Sequence, residues 1–239
     1  MQPTSAQDEA KKAAAAQAIE SFLKDGMIIG LGSGTTSRWF VRILGERVAK
    51  GLRVTGVPSS KSTGQLAQEV GVSLADLNDV PQLDLTIDGA DEIDSQGQMI
   101  KGGGANLLWE KIVAIASKQM VCIIDESKMV ETLGQFPLSV EVIPFAWRST
   151  ERHLRKLFEK AGLGEPVIEM RGGLEKPLVT DSGHYLLDCH LEKILQPESL
   201  AEKLKQIPGV VEHGLFIGIA TSAVIGHSSG KAEVLSFRG

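Results

Sequence analysis

The residues of this 239-residue chain that are best suited to chemistry lie in four short segments, and the first, GLGSGTTS at 30–37, is suited to bind an anion. It separates a β-rich run from a helical pattern, so its glycines allow close backbone approach and the helix start offers N–H groups. Its hydroxyl groups add donors for phosphate oxygens, and a tight turn with a helix cap is the alternative. A dinucleotide loop is disfavoured, because the spacing is not G-x-G-x-x-G and VPSSKST at 57–63 supplies no acid for a ribose hydroxyl.

The second segment, LDLTIDGADEID at 83–94, ends a strand-like run with carboxylates. Apolar and polar residues alternate until Gly89 interrupts them, which places Asp88 at the carboxyl end of a strand and Asp91 one turn further on. Acids in such a bend can hold sugar hydroxyls and relay protons. Ordinary turn residues and a magnesium site are the two alternatives.

The third segment, KGGGANLLWEK at 101–111, places three glycines between Lys101 and the start of a helix. The backbone N–H groups of such a loop can face an oxyanion, and Lys101 adds positive charge. Glu110 follows on the helix, and its neighbours one turn away are apolar: Leu107, Val113 and Ala114. A partly desolvated carboxylate gains a pKa closer to neutrality, which suits a general base. A surface acid paired with a lysine is the alternative.

The fourth segment, IDESK at 124–128, is a strand end followed by polar residues. Lys128 at this edge could hold substrate oxygens or a phosphate group. An exposed loop lysine is the more ordinary interpretation of this position.

The elements that position these segments alternate between strands and helices in the first part of the chain. A helix is predicted at 8–24, and β-rich runs follow at 27–31, 52–57, 83–87 and 120–124, with helical stretches between them. This alternation predicts an α/β fold with a Rossmann-like parallel sheet. Ligands of such sheets gather at the carboxyl ends of the strands, where the first, second and fourth segments fall.

The pattern changes after Phe136 and Pro137 to the order β-α-β-β-α-β, which is typical of a ferredoxin-like α+β domain. We therefore predict a catalytic Rossmann-like domain at 1–137 and 215–239, and a smaller ferredoxin-like domain at 138–214.

The composition and net charge of the chain disfavour several classes of function. The net charge of −5 disfavours a general nucleic-acid binder, and no run approaches the roughly 20 apolar residues of a membrane helix. The charged, amphipathic N-terminal pattern does not resemble a signal peptide, so a cytoplasmic enzyme without membrane or nucleic-acid partners is expected. Cys122 and Cys189 lie in apolar runs without metal-ligand spacing, which predicts buried thiols.

Taken in this order, the four segments resemble type A ribose-5-phosphate isomerase, and FPLSVEVIP at 136–144 and IPGVVEHGLF at 207–216 extend the resemblance over nearly the whole chain. It implies an aldose–ketose isomerase of the non-oxidative pentose phosphate pathway that interconverts D-ribose 5-phosphate and D-ribulose 5-phosphate through an enediolate. No cofactor or metal is implied, and a homodimer or homotetramer is expected. Trp109 departs from the family pattern, in which a basic residue is common, and Asn106 replaces a small residue.

The resemblance also implies the roles of individual residues. Glu110 would be the proton acceptor, Lys101 would stabilise the oxyanion, and Asp88 and Asp91 would open the sugar ring and move protons between O1 and O2. The implied substrate-binding residues are Ser33, Gly34, Thr35, Thr36, Asp88, Gly89, Ala90, Asp91, Lys101, Gly102, Gly103, Gly104 and Lys128.

Two rival functions fit parts of the pattern. A non-catalytic sugar-phosphate sensor could share the fold, since a fold alone does not define an activity. The chain lacks an appended helix-turn-helix motif and keeps Glu110, Asp88 and Asp91, which favours the enzyme. An amino-sugar-phosphate deaminase would need an imidazole for ring opening, and all five histidines lie outside the four segments: His153, His184, His190, His213 and His227.

Overall fold

The computed structural model describes residues 5–237, which form two compact units. Within that range, unit 1 comprises 5–90, 109–129 and 218–237, and unit 2 comprises 91–108 and 130–217. Residues 91–108, 130–137 and 215–217, which the sequence grouped with the main domain, lie in unit 2. The predicted division into domains at 138 and 214 stays a prediction.

Six helices and fourteen strands span the described residues. The helices are α1 (Ala6–Phe22), α2 (Gly34–Val48), α3 (Lys61–Glu69), α4 (Leu107–Ile115), α5 (Trp147–Lys160) and α6 (Pro197–Leu204). The strands are β1 (Ile28–Leu31), β2 (Thr55–Pro58), β3 (Ser73–Leu74), β4 (Leu85–Asp88), β5 (Glu92–Ile93), β6 (Met99–Ile100), β7 (Met120–Asp125), β8 (Leu138–Val142), β9 (Val167–Met170), β10 (Tyr185–His190), β11 (Val210–His213), β12 (Leu215–Phe216), β13 (Ser222–Gly226) and β14 (Ala232–Ser236). From residue 5 to 237, no helix has the length and apolar character that a membrane crossing requires.

Unit 1 is built on a seven-stranded sheet in the order β14-β13-β7-β4-β1-β2-β3. All neighbouring pairs are parallel except β13 with β14. The chain first adds β2 and β3 on one side of β1 and then returns to place β4 on its other side. The strand order therefore reverses between β1 and β4, and such a switch point opens a crevice at the carboxyl ends of the strands.

Apolar side chains cover both faces of this sheet, because successive strand residues point to opposite sides. On one face, Ile29 and Leu31 of β1 pack in a cluster that includes Phe40 of α2. On the other face, Val113 of α4 packs with Val57 and Leu83. Burial on both faces explains why β7, with the sequence MVCIID, is a nearly continuous apolar run.

Unit 2 contains a four-stranded antiparallel sheet in the order β11-β8-β10-β9 and a three-stranded sheet in the order β12-β6-β5. The first sheet has the predicted β-α-β-β-α-β succession, and its α5 and α6 contribute Phe158 and Leu204 to one apolar cluster. Leu138, Val140 and Leu187 point into this cluster. Their neighbours along each strand, such as Ser139 and Asp188, point to the opposite, polar face of the sheet.

The fold class is confirmed: the protein is α/β, with a mostly parallel central sheet and a smaller antiparallel unit. The sequence predicts the last strand of the β-α-β-β-α-β order as one continuous run, 210–217, whereas the structure divides it into β11 and β12 with a break at Gly214. A Cβ atom at Gly214 would lie 2.1 Å from the carbonyl oxygen of Lys101, so the chain bends where only glycine fits.

Candidate active site

Asp88 ends β4 at the switch point of the sheet and binds the turn that leads into α2. Its Oδ1 atom accepts hydrogen bonds from the backbone N–H of Ser33 at 2.9 Å, the hydroxyl of Ser37 at 3.0 Å and the backbone N–H of Gly89 at 2.7 Å. The Asp88 side chain is fully buried. Hydrogen bonds to an ionised carboxylate are stronger than neutral ones, so three of them hold this side chain in one orientation.

Two glycines let this turn pass so close to Asp88. A Cβ atom on Gly32 would lie 2.1 Å from Asp88 Oδ1 and 2.5 Å from Asp88 Cα, which no side chain permits. Gly34 begins α2 with a φ of +91°, in the left-handed region that favours glycine. Gly34 and Thr35 are exposed, whereas the side chain of Thr36 is buried. The first N–H groups of α2 therefore open toward solvent, where an anion can approach them.

A network of buried hydroxyls joins this turn to the start of α3. Ser33 Oγ lies 2.8 Å from Ser59 Oγ, and Thr63 Oγ1 donates to the carbonyl of Gly32 at 3.1 Å. Ser60 caps α3 by accepting from the N–H of Thr63 at 3.1 Å. In the segment 57–63, Ser59, Ser60 and Thr63 are buried and belong to the same hydroxyl network as Ser33, whereas Lys61 and Ser62 are exposed.

Glu110 lies in the first turn of α4, and 5% of its surface is exposed. Val113 and Ala114, on the same side of the helix, are each 3% exposed. The apolar spacing in the sequence therefore indicated the burial of this carboxylate correctly. The Glu110 carboxylate is therefore largely withdrawn from bulk water on this side of α4.

Lys128 follows β7 in a 3₁₀ turn, Glu126–Lys128, and is partly buried. Asp125 begins this turn and accepts the N–H of Ser127 at 3.2 Å and also its hydroxyl. Because β7 runs parallel to β4 with Cys122 opposite Asp88, the turn lies at the same edge of the sheet as Asp88. In open α/β sheets, ligands generally bind at this edge.

In unit 2, Asp91 holds the glycine loop that begins at Lys101. The N–H of Gly103 donates to Asp91 Oδ2 at 2.8 Å, and a Cβ atom on Gly103 would lie 2.6 Å from Asp91 Oδ1. The N–H of Asp91 donates to the carbonyl of Ile100 at 2.9 Å. Asp91 and the loop are thus fixed to each other by both backbone and side chain.

Lys101 is only 3% exposed, although it is a lysine. Its backbone N–H donates to the carbonyl of Gly214 at 2.8 Å, and its ammonium lies 5.5 Å from the centre of the Phe216 ring. An ammonium over an aromatic face gains a cation–π attraction that is larger when the pair is desolvated. Such a lysine is held in place rather than extended into solvent.

Glu92, in the second segment, has a structural role that the sequence did not indicate. Glu92 is 4% exposed and accepts the backbone N–H groups of Gly134, at 2.7 Å, and Phe136. It therefore satisfies a loop that would otherwise bury two unpaired donors. Only the long sequence separation between Glu92 and this loop kept the role hidden.

The structure thus joins Ser33, Asp88 and Gly89 in unit 1, and Asp91 with Gly103 in unit 2. Glu110, Ala90 and Lys128 belong to unit 1, and Lys101, Gly102 and Gly104 to unit 2. Among residues 5–237, no group of three or more His, Cys, Asp or Glu side chains is arranged to hold a metal ion.

The family profile of ribose 5-phosphate isomerase A (phosphoriboisomerase A) matches residues 55–230. The chain belongs to this family. It is 53% identical over 230 residues to ribose-5-phosphate isomerase A 2 of Yersinia pseudotuberculosis, a match that covers 95% of the chain and 97% of that protein. It is 52% identical over 232 residues to ribose-5-phosphate isomerase A of Cereibacter sphaeroides, with 95% and 91% covered.

Solved structures of the ribose 5-phosphate isomerase A family have the same fold. The enzyme of Neisseria gonorrhoeae matches with a TM-score of 0.87 and 37% identity, over 98% of both chains. The isomerase of Plasmodium falciparum matches with a TM-score of 0.90 and 29% identity, over 96% of this chain and 98% of that one. A D-ribose-5-phosphate isomerase in complex with phospho-erythronic acid matches with a TM-score of 0.87 and 35% identity, over 96% and 98%. The resemblance inferred from the four segments is therefore confirmed.

Proposed function

We propose that this chain carries out its isomerase reaction with Glu110 as the base that moves a proton between two neighbouring sugar carbons. As a member of its family, the enzyme interconverts ribose 5-phosphate and ribulose 5-phosphate. In this reaction the substrate loses a proton from C2 of the open-chain aldose, and C1 gains one. The single observation that supports Glu110 is a carboxylate 5% exposed among apolar neighbours, on the helix that follows the Lys101 loop.

The intermediate of this scheme is a cis-enediolate. Glu110 takes the C2 proton, the C1–C2 bond becomes a double bond, and the electron pair of the C1 carbonyl moves onto O1. The protonated Glu110 then returns the proton to C1, while O2 becomes the ketone oxygen. A general base of this kind contributes about 10²–10⁴-fold to a rate.

The developing negative charge on the oxygens needs a fixed positive partner. We assign this task to Lys101, whose buried position limits the reorganisation needed when the charge appears. Asp88 and Asp91 would open the furanose ring and carry the proton between O1 and O2. The hydrogen bonds that fix each carboxylate support this role, because proton transfer requires donor and acceptor in a set geometry.

The phosphate group of the substrate fits the turn at 33–36. The start of α2 presents N–H groups and the hydroxyl of Thr35 at an exposed position, and the helix dipole favours an anion there. Gly89, Ala90 and the glycines 102–104 would contribute backbone contacts to the sugar, and Lys128 a positive charge. The scheme uses no cofactor and no metal ion.

Glu110→Gln tests the assignment of the base, because the amide keeps the shape of the side chain and removes its basicity. We expect kcat for ribose 5-phosphate to fall at least about 10²-fold. Exchange of the C2 proton with deuterated water, followed by NMR, should be lost in parallel. Binding of phospho-erythronic acid, measured by calorimetry, should stay close to wild type.

Glu69→Gln is the matched control, since Glu69 is an exposed glutamate at the end of α3 in the same unit. It should leave kcat and proton exchange unchanged. Near-normal turnover of Glu110→Gln would remove Glu110 from the role of base. A wild-type protein that forms no ribulose 5-phosphate would contradict the activity itself.

We further propose that the enzyme works in the cytoplasm as a homodimer or homotetramer. Charged sugar phosphates do not cross lipid bilayers, because burying a charge in hydrocarbon is strongly unfavourable. The enzyme is therefore expected in the compartment where they are made. Light scattering of the purified protein gives the number of chains, and a monomeric mass would contradict the proposed assembly.

A further inference from the structure

Arg171, directly after β9, binds the backbone of the loop that follows Lys101. Its Nη1 atom donates to the carbonyl oxygen of Gly102 at 2.6 Å and lies 3.4 Å from that of Gly103. The Arg171 side chain is 17% exposed. A largely buried guanidinium thus lies against the loop on which the proposed chemistry depends.

One peptide group connects Arg171 to Asp91. In a planar trans peptide, the carbonyl of one residue and the N–H of the next point in opposite directions. Arg171 binds the carbonyl of Gly102, and Asp91 Oδ2 accepts the N–H of Gly103 at 2.8 Å from the other side. The peptide between Gly102 and Gly103 is therefore held from both ends, between a cation and an anion. Such linked hydrogen bonds polarise and strengthen one another.

The position of Gly102 in this loop has no room for a residue larger than glycine. Gly102 has a φ of +123°, and a Cβ atom there would lie 2.8 Å from Ser139 Cβ. The carbonyl of Gly102 also accepts the N–H of Ala105 at 3.0 Å, which closes a turn. The conformation of Gly102 therefore fixes the direction of its carbonyl group, which accepts a hydrogen bond from Arg171.

A polar frame on the antiparallel sheet holds Arg171 itself. Asp188 of β10 and Ser139 of β8 are paired residues, and both lie on the face opposite the apolar cluster. Asp188 accepts from Arg171 Nε at 2.8 Å and also from Nη2, while Nη2 donates to Ser139 Oγ at 2.7 Å. This fork-to-fork contact fixes the guanidinium plane and leaves Nη1 for the loop.

We propose that Arg171 is a positioning residue for the isomerase reaction, which acts through the peptide between Gly102 and Gly103 to hold Asp91 in its working orientation. The inference rests on the proposed role of Asp91. It adds a residue that lies outside all four chemical segments of the sequence, 69 positions from Gly102.

Arg171→Lys is the variant of choice, because an ammonium keeps the charge beside Asp188 but cannot bind the carboxylate and the loop carbonyl in the same fork. We expect kcat to fall about tenfold or more, since small misplacements of a catalytic group are costly, while KM for ribose 5-phosphate changes less than about twofold. Arg155→Lys is the matched control. Arg155 lies in the same unit and pairs with Glu151, but it binds Pro166 instead of the glycine loop. It should retain wild-type kinetics.

A double-mutant cycle with Asp91→Asn separates positioning from general stability. If Arg171 acts through Asp91, Arg171→Lys should change kcat by less than about twofold in the Asp91→Asn background. The circular dichroism spectrum of Arg171→Lys should match that of Arg155→Lys, which shows that both variants are folded under assay conditions. Independent, multiplicative effects of the two changes would overturn the inference, as would wild-type kcat in Arg171→Lys. If Asp91→Asn alone keeps full activity, the proposed role of Asp91 fails, and the inference fails with it.

Discussion

Asp88 illustrates how one residue can organise a site without being reached from solvent. Its Oδ1 atom accepts hydrogen bonds from Ser33, Ser37 and Gly89, so one carboxylate oxygen connects the end of β4 to the beginning of α2. Ser33 and Asp88 are 55 positions apart. A change at Asp88 should therefore disturb the turn at 33–36 as well as the proton transfer that we propose for Asp88.

Ser37→Ala tests the anchoring of Asp88 more cleanly. Ser37 is 1% exposed, and its hydroxyl donates to Asp88 at 3.0 Å. Loss of a hydrogen bond to a charged group typically lowers the free energy of unfolding by about 1.5–3 kcal/mol. Urea unfolding should show a loss in this range.

Ser62→Ala is the control for this change. Ser62 is an exposed serine whose hydroxyl lies 3.1 Å from the neutral hydroxyl of Ser60. It should shift the free energy of unfolding by less than about 0.5 kcal/mol. Equal losses of unfolding free energy in Ser37→Ala and Ser62→Ala would mean that the hydrogen bond to Asp88 stabilises the protein no more than the contact between two surface hydroxyls does.

The sequence revealed some of these residues and concealed others for a physical reason. The burial of Glu110 could be predicted because its apolar neighbours lie one helical turn away, and a helix brings such positions onto one side. Arg171 carried no signal, since its partner Gly102 is 69 positions distant and no local pattern marks the end of β9. Local periodicity shows which residues are buried, whereas tertiary pairing decides what they bind.

At the scale of elements, the 3₁₀ turn with Lys128 is tied to the hairpin of β13 and β14. His227 lies between these strands, and its Nδ1 atom is 2.8 Å from Glu126 Oε2. Its Nε2 atom lies 3.4 Å from Glu233 of β14. The hydrogen bond with Glu126 raises the pKa of His227 above its ordinary 6.5, and the bond with His227 lowers the pKa of Glu126 below its ordinary 4.5.

The signs of these shifts define a pH window for the contact. The contribution of His227 is full below pH 6.5 and is lost as the pH rises through its folded pKa. The contribution of Glu126 is full above pH 4.5 and is lost as the pH falls through its folded pKa. The contact between His227 and Glu126 therefore stabilises the folded protein most between pH 4.5 and pH 6.5.

Glu126→Gln should lower the pKa of His227 toward 6.5, because the carboxylate that favours the imidazolium is removed. NMR titration of the imidazole protons measures this shift directly. Glu131→Gln, a change at an exposed acid five positions further on, should leave the titration of His227 unchanged. An unaltered His227 curve in Glu126→Gln would mean that the two side chains do not pair in solution.

The elements themselves were predictable where periodicity is strong. The long helices and the central parallel strands follow from alternating and apolar runs, and the β-α-β-β-α-β succession of unit 2 was evident. The strands β5 and β6 were not, because each is two residues long and is defined by its partner. Such short pairings leave no periodic pattern in a sequence.

At the scale of the whole molecule, the chain passes between its two units after residues 90, 108, 129 and 217. Neither unit is a continuous segment. The apolar cluster of unit 2 draws Ile100 and Leu133 together with Leu215, and all three are at most 1% exposed. These residues lie outside 138–214, so the core of the smaller unit extends beyond the domain that the sequence suggested.

This difference makes a testable prediction about autonomous folding. A fragment of residues 138–214 should not fold cooperatively, because it lacks Ile100, Leu133 and Leu215 of its own apolar cluster. Deleting large core side chains costs about 2–5 kcal/mol each, and the whole stability of a small domain is about 5–15 kcal/mol. Urea unfolding followed by circular dichroism should show a broad, non-cooperative loss of signal.

The matched comparison restores the missing residues. A chain of residues 130–217 joined to 91–108 by a Gly/Ser linker of about eight residues keeps the whole of unit 2, including the pairing of β12 with β6. This permuted chain should unfold in one sharp transition, because the apolar cluster and both antiparallel sheets are complete. If 138–214 unfolds as cooperatively as the permuted chain, Ile100, Leu133 and Leu215 are dispensable, and the domain limits inferred from the sequence are the folding limits.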